Sequence, residues 1–409
     1  MRIHFRDPLF DAQLLRALNN VYEQGADVGE CLSTAARIAE ADLDGWHREW
    51  SATAARIESL AASCLEGGHR ESAREAYLRA STYHRTAGVF FIGSPADPRL
   101  GETHAAQTRC FARAAGLSGG AIQPVAIPYE GTTLPGYYLR ARGEEPRPCV
   151  IVNGGYDGTA EECFFFSGAA AVRHGFHCLL FDGPGQGAVL VDQGLPTRPD
   201  WERVIGPVVD HLRARPDVIA DEIALVGLSL GGYQALRAVC HERRLAACVV
   251  DPAQGDLCLT ALRKLPLPFR MRDHFFTLPA LAQALVGKLL LRVSRHPTRG
   301  WALRRGQHVH GVSSPLEYLR ALRAYTTTDR LEQVGCPVLV CDAERDPLAA
   351  QAREVFEALG GPKEYARFSA SQGAGDHCEA GNRSLCNEVV FDWLERNLRP
   401  PDGRPNPGT

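Results

Sequence analysis

Lysine is almost missing from this chain: only Lys264, Lys288 and Lys363 stand beside the arginines. Basic and acidic residues nearly cancel, leaving a net charge of −3 over 409 residues. With no positive excess to neutralise a phosphate backbone, nucleic acid is excluded as a partner on electrostatic grounds. No uninterrupted apolar run reaches the roughly 18 residues that a membrane-spanning helix needs. Met1 to Asp11 carries charges where an export signal would need an apolar stretch. The expectation is a cytoplasmic chain with no membrane partner. No CxxC pair occurs, and the thirteen cysteines are odd in number and scattered, which argues for reduced thiols and against a disulfide framework or a zinc site. A dinucleotide loop is lacking too: Gly183-Pro-Gly185-Gln-Gly187 follows an expected strand, but G-x-G-x-x-G needs glycine at 188, where Ala188 stands. There is no Walker lysine. His308 and His310 have no Cys or carboxylate at a recognised ligand spacing, so neither a metal nor a cofactor is expected.

What is present is an ordinary globular composition, 45% hydrophobic and 23% charged, enough to build a large core. Up to about residue 118 the pattern is helical, with Leu14, Leu15, Leu18 and Val21, then Ala73, Ala76, Tyr77, Ala80 and Tyr83, at helical spacing. The composition changes at Gly116 to Gly120. Beyond it Val125 to Pro128 and Leu134 to Leu139 read as a hairpin. Short apolar runs follow at Cys149 to Val152, His177 to Phe181, Ile223 to Val226, Ala246 to Val250 and Pro337 to Cys341. Most are followed by Gly or Asp and then a helical pattern, the alternation of an α/β chain whose mostly parallel sheet has helices on both faces. Between about 255 and 330 the alternation stops, and a Leu-, Phe- and Arg-rich helical stretch is expected as a cap over the carboxyl edge of the sheet. The organisation expected is a helical arm over 1–118, a core with inserted cap over 119–400, and a disordered Pro/Gly-rich tail over 401–409.

The strongest local signal is a strand ending in Gly227-Leu228-Ser229-Leu230-Gly231, followed by a helix starting at Tyr233. In such a G-x-S-x-G elbow small residues permit a turn sharp enough to expose the serine hydroxyl at a helix N-terminus. A serine hydroxyl is a weak nucleophile and needs a base distant in sequence but near in space. Gly373-Ala-Gly-Asp376-His377 follows the last expected strand, Tyr365 to Phe368, and makes His377 the candidate base. The loop after Pro337 to Cys341 supplies the acid. Asp342 and Glu344 compete there with Asp346, which is preferred because a short turn should separate strand end from acid. The order Ser229, Asp346, His377 is that of α/β-hydrolases. Two backbone amides are expected to stabilise an oxyanion, those of Leu230 and of Tyr156 in the loop Asn153-Gly154-Gly155-Tyr156-Asp157-Gly158.

Together these residues resemble one branch of the α/β-hydrolases: the FrsA-like esterases, the bacterial 2,6-dihydroxypseudooxynicotine hydrolase and the fungal hydrolases that shorten polyketide chains in pigment synthesis. The likeness rests on Tyr77 to Gly88 (YLRASTYHRTAG), Gly154 to Glu162 (GGYDGTAEE), Phe181 to Gly187 (FDGPGQG), the elbow, and Gly373 to Cys378 (GAGDHC). It implies an α/β-hydrolase fold with an N-terminal helical arm over the site, a helical cap, a homodimer, and hydrolysis of a C–C bond next to a ketone. In that chemistry a stabilised carbanion leaves. Asp157, Glu161 and Glu162, just beyond the oxyanion loop, are candidates to contact the leaving group, polarise the ketone or give it a proton. The competing reading makes them helix N-terminal charges worth about 0.3–1 kcal/mol each. Phe164, Phe165, Phe166, Phe269, Phe275 and Phe276 offer apolar surface for an aromatic or polyketide-like small molecule, although core packing explains such runs equally well. An esterase, thioesterase or lactonase would use the same three side chains. An acyltransferase, a cyclase, or a binding protein with a vestigial site stands as the alternative of another class.

Overall fold

The computed structural model describes residues 2–265 and 274–398. Phe269 and the expected tail fall outside that range. Five helices come first: α1 (Pro8–Asn19), α2 (Val28–Ala35), α3 (Leu43–Glu66), α4 (Arg70–Gly88) and α5 (Pro98–Gly116). Their starts follow from local chemistry. Asp7 accepts the amides of Leu9 and Phe10 ahead of Pro8, and Asp97 accepts that of Arg99 ahead of Pro98, so an acid cap and a proline fix each first turn. The arm closes on an aromatic cluster of Phe10, Trp46, Trp50 and Phe90, all buried. Burial of each such side chain contributes about 1.5–3 kcal/mol, and the Trp46 indole also donates to the Thr86 carbonyl at 2.7 Å.

Eight strands form one sheet: β1 (Ile122–Tyr129), β2 (Thr132–Leu139), β3 (Arg147–Asn153), β4 (His177–Phe181), β5 (Val218–Leu228), β6 (Ala247–Asp251), β7 (Val338–Ala343) and β8 (Lys363–Phe368). Their order is β1-β2-β4-β3-β5-β6-β7-β8. The hairpin pairs antiparallel with itself and with β4, and every pairing from β4 across to β8 is parallel. Alternation along β3 sends Val150 and Val152 to one face and Cys149 and Ile151 to the other. The first of these faces shares its buried cluster with the arm, so arm and sheet are packed through one continuous core.

The cap segment forms helices Leu257–Arg263, Ala280–Ser294, Trp301–Val309 and Pro315–Leu322. They pack on Leu230 and Tyr233 of the helix Leu230–Val239, directly above the carboxyl end of β5. Trp301 ties the cap to the arm by donating its indole N–H to the Val89 carbonyl. No described helix is long and apolar enough to cross a membrane.

Candidate active site

The carboxyl ends of β3, β5, β6 and β7 and the loop after β8 converge where the strand order reverses about β3, the place at which open α/β sheets bind ligands. At the end of β5, Ser229 adopts φ 61° and ψ −119°, a conformation disfavoured for any residue with a Cβ. It is held there by two bonds: its amide donates to the Asp251 carbonyl at 2.6 Å, and Gln254 donates to its own carbonyl at 2.9 Å. Gly155 packs against Ser229 so closely that a Cβ there would lie 2.7 Å from Ser229 Cβ and 3.0 Å from its Oγ. Only glycine fits.

Ser229 Oγ lies 2.9 Å from His377 Nε2, and His377 Nδ1 lies 2.6 Å from Asp346 Oδ2. An ionised carboxylate only accepts, so Nδ1 carries the proton and Nε2 is left as acceptor for the serine hydroxyl. Burial alone would raise the Asp346 pKa, but the charge and hydrogen bond of His377, the Leu348 amide and the charge of Lys264 outweigh it and hold the carboxyl below its usual range. The competing acids are engaged elsewhere. Asp342 accepts from Tyr365 and Arg367, each at 2.7 Å, and Glu344 accepts the Ala370 amide at 2.6 Å.

The amides of Leu230, which follows this serine, and of Tyr156, which follows Gly155, make no hydrogen bond to another described residue. The Tyr156 side chain turns the other way, into the cap, where its hydroxyl lies 2.9 Å from His310 Nε2 and 3.1 Å from the Tyr318 hydroxyl. Burial pushes His310 down to about 3, so this imidazole is a neutral packing partner. The Gly183 to Gly187 loop supports the site from behind: Gln186 donates to the Gly154 carbonyl at 2.7 Å and thereby fixes the loop that carries Tyr156.

In front of Ser229 opens a cavity of about 700 Å³, walled by Phe5, Leu9, Leu15, Phe166 and Trp301 and crossed by charged groups. Asp157 and Glu162 line it; Glu161 does not. The last faces Tyr137 and Gln107 beneath the helix Ala160–Cys163, which removes it from the set of leaving-group contacts. Asp157 is not a proton donor either. Burial would raise its pKa, but Arg16, Arg305 and Arg85 together hold it well below the ordinary carboxylate range, so it stays ionised. Both glutamates occupy the first turn of a helix capped by Thr159, where their charge favours the helix N-terminus. Of the candidate phenylalanines that are described, Phe166 alone reaches the cavity; Phe164 and Phe165 pack on Phe111 of the arm, and Phe275 and Phe276 on each other in the cap.

The arginines were not foreseen. Arg16 of α1 spans the two carboxylates, 2.7 Å from Asp157 and bidentate to Glu162 at 2.6 and 2.5 Å. Arg85 of α4 lies 3.4 Å from each, and Arg305 of the cap lies 3.1 Å from Asp157. Arm, core and cap are thus joined at one ionic node on the cavity wall. Removing one member of such a buried set leaves its partners uncompensated. Arg16→Ala is expected to lower unfolding free energy in urea by on the order of 3 kcal/mol. Arg16→Lys should recover part of it, since an ammonium does not bridge two carboxylates as a guanidinium does.

Residues 149–381 match the alpha/beta hydrolase family. This chain belongs to it. It is 31% identical to hydrolase LUC6 of a Fusarium species over 96% of this chain and 97% of that one. It is 30% identical to 20-hydroxy-prefusarin hydrolase FUS2 of Gibberella moniliformis over 96% and 97%. The crystal structure of 2,6-dihydroxy-pseudo-oxynicotine hydrolase superposes with a TM-score of 0.74 at 23% identity, covering 93% of this chain and 95% of that one. The chain is a hydrolase of α/β-hydrolase fold with helices before and within its core.

Proposed function

We propose that this hydrolase works through an acyl-enzyme on Ser229 and cleaves a C–C bond next to a ketone in an aromatic or polyketide-like small molecule. The observation that carries the serine mechanism is the unbroken chain Ser229, His377, Asp346, opening on an apolar-walled cavity. His377 Nε2 takes the hydroxyl proton as Oγ attacks the ketone carbonyl, and the amides of Leu230 and Tyr156 hold the resulting oxyanion. Collapse breaks the C–C bond, and the imidazolium returns its proton to the departing carbon. Water then enters, gives a proton to the same imidazole as its oxygen attacks the acyl carbon, and collapse breaks the bond to Ser229 Oγ, which takes the proton back and leaves the acid.

The C–C reading, which the family resemblance implies, gains support from charge. Three guanidinium groups, Arg16 and Arg305 on the cavity wall and Arg85 behind it, stand against two carboxylates, Asp157 and Glu162. That cationic surplus favours a departing enolate over a neutral alcohol. Paired substrates test it: a β-diketone and an ester sharing one acyl group, hydrolysed in ¹⁸O-labelled water. The expected result is ketone plus singly labelled acid from the diketone at a kcat/KM at least equal to that for the ester. Turnover of the ester with an inert diketone would leave an esterase, thioesterase or lactonase on the same three residues. Products without label would point to acyl transfer or cyclisation.

A further inference from the structure

Residues 274–316 contain no aspartate or glutamate, in a chain whose acids outnumber its bases overall. The cap helix Ala280–Ser294 lies in this stretch and is fixed by one side only: Leu290 and Ser294 are buried, and Gly287 sits against Leu316. Its opposite face is open. Leu281, Leu285 and Leu289 recur every fourth residue and are 74%, 59% and 46% exposed; with Leu291 they make four of the nine exposed large hydrophobic residues described, concentrated on one helix. Lys288 and Arg292 project between these leucines on the same face, and Arg295 and Arg299 follow at its end, all exposed. None of the four cations has a side-chain ion-pair partner among the described residues, whereas Arg304 of the same stretch is engaged with the carbonyls of Ser294, His296 and Pro297.

From this juxtaposition we infer that the face is a docking surface for a membrane interface bearing anionic lipid. Leucines sink below the headgroups while the stems of Lys288 and Arg292 lie along them and place their charges at the phosphate level. Positive charge without any acid on that face is complementary to an anionic leaflet and would be idle against a neutral one. The expectation of no membrane partner rested on the lack of a spanning run, which bears on insertion across a bilayer and not on a helix lying along it. The same stretch continues into Trp301 and Arg305, which line the cavity.

Vesicle flotation with the full-length protein tests this, using phosphatidylcholine alone or with about one-third phosphatidylglycerol. The protein is expected to float with the anionic vesicles, to stay behind with neutral ones, and to be released in roughly 0.5 M salt. Leu285→Glu combined with Leu289→Glu should weaken binding at least about tenfold, with melting temperature and hydrolysis of a soluble ester unchanged. Lys288→Glu with Arg292→Glu should abolish the preference for anionic vesicles. Failure of the parent protein to float, equal flotation of parent and leucine variant, or conversion of a dimer to monomers by the leucine variant would each overturn the inference, the last by assigning the face to a second copy.

Discussion

Ser229→Ala is expected to reduce kcat by about 10⁴-fold or more and to abolish covalent labelling by a fluorophosphonate, while unfolding in urea shifts by less than about 1 kcal/mol. The asymmetry between activity and stability is the informative part. Alanine carries the same Cβ as serine, so it meets the same close approach of Gly155 and the same positive φ at the elbow, and the bonds holding that turn run through the backbone of residue 229. The substitution therefore removes a nucleophile without relieving or adding strain. What survives is the pair of free amides and the cavity, which alone sustain a small residual rate. Should the variant retain its turnover, the serine mechanism is gone whatever the family membership.

Much of the framework was legible because strands buried on both faces read as short apolar runs, and because a strand end facing a ligand site is followed by Gly or Asp. β5 shows the limit. It begins at Val218, five residues ahead of the apolar run from Ile223, since Ile219 to Glu222 are partly exposed and polar in part. The three residues of the hydrogen-bonded chain were legible for another reason: each sits in a loop after its own strand, so order and loop position together identify them. The ionic node was not. Arg16 is separated from Glu162 by 146 residues and Arg85 from Asp157 by 72, and nothing in a linear sequence sets the register of an arm helix against a β-to-α loop. Neighbours Glu161 and Glu162 illustrate the same point on a small scale. A step of one residue turns a side chain by about 100° about a helix axis, so only a known helix start tells which glutamate faces the cavity. The π-helical turn Phe164–Gly168 likewise shifts the phase that would have told Phe166 from Phe165. A signal did exist: acids clustered in the loop after an apolar strand demand counter-charges once buried, and Arg85 lies within the arm motif that marked the resemblance.

The arm and the ionic node also change how the cavity wall is understood. Asp157 and Glu162 do not stand there as free acids; they pair with Arg16 of the arm and Arg305 of the cap, and these two cations line the cavity. Arm and cap are therefore joined to the core beside Ser229 through the same charges that line the cavity.

A second buried ionic group sits behind His377, and Arg383→Met should expose its weight: a loss of about 3–5 kcal/mol in unfolding free energy at neutral pH. Arg383 opens the helix Arg383–Asn397 and is almost wholly buried. It donates to the carbonyls of Cys378 at 2.8 Å and Phe166 at 3.0 Å, and its Nη1 lies 3.5 Å from Glu379 and 3.6 Å from Asp251. Cys378 and Glu379 both have positive φ, at 49° and 51°, so the backbone just after His377 is strained and depends on these bonds. Burial raises both carboxyls, Asp251 and Glu379, and their proximity raises Glu379 further; a hydrogen bond between the two needs a shared proton. The sign of the pH dependence follows. Unfolded carboxyls titrate near pH 4, at roughly their reference values, and the folded pair titrates higher. Stability from this group is therefore fully present below the unfolded value and declines as pH rises through the folded one. With Arg383 gone the pair loses its one guanidinium partner among the described residues and must hold its protons to a higher pH still. The Met variant's deficit is thus expected to be largest at neutral to alkaline pH and to shrink toward pH ~4, which urea titrations of parent and variant across that range would reveal; a deficit independent of pH would mean that lost packing, not charge, is what Arg383 supplies.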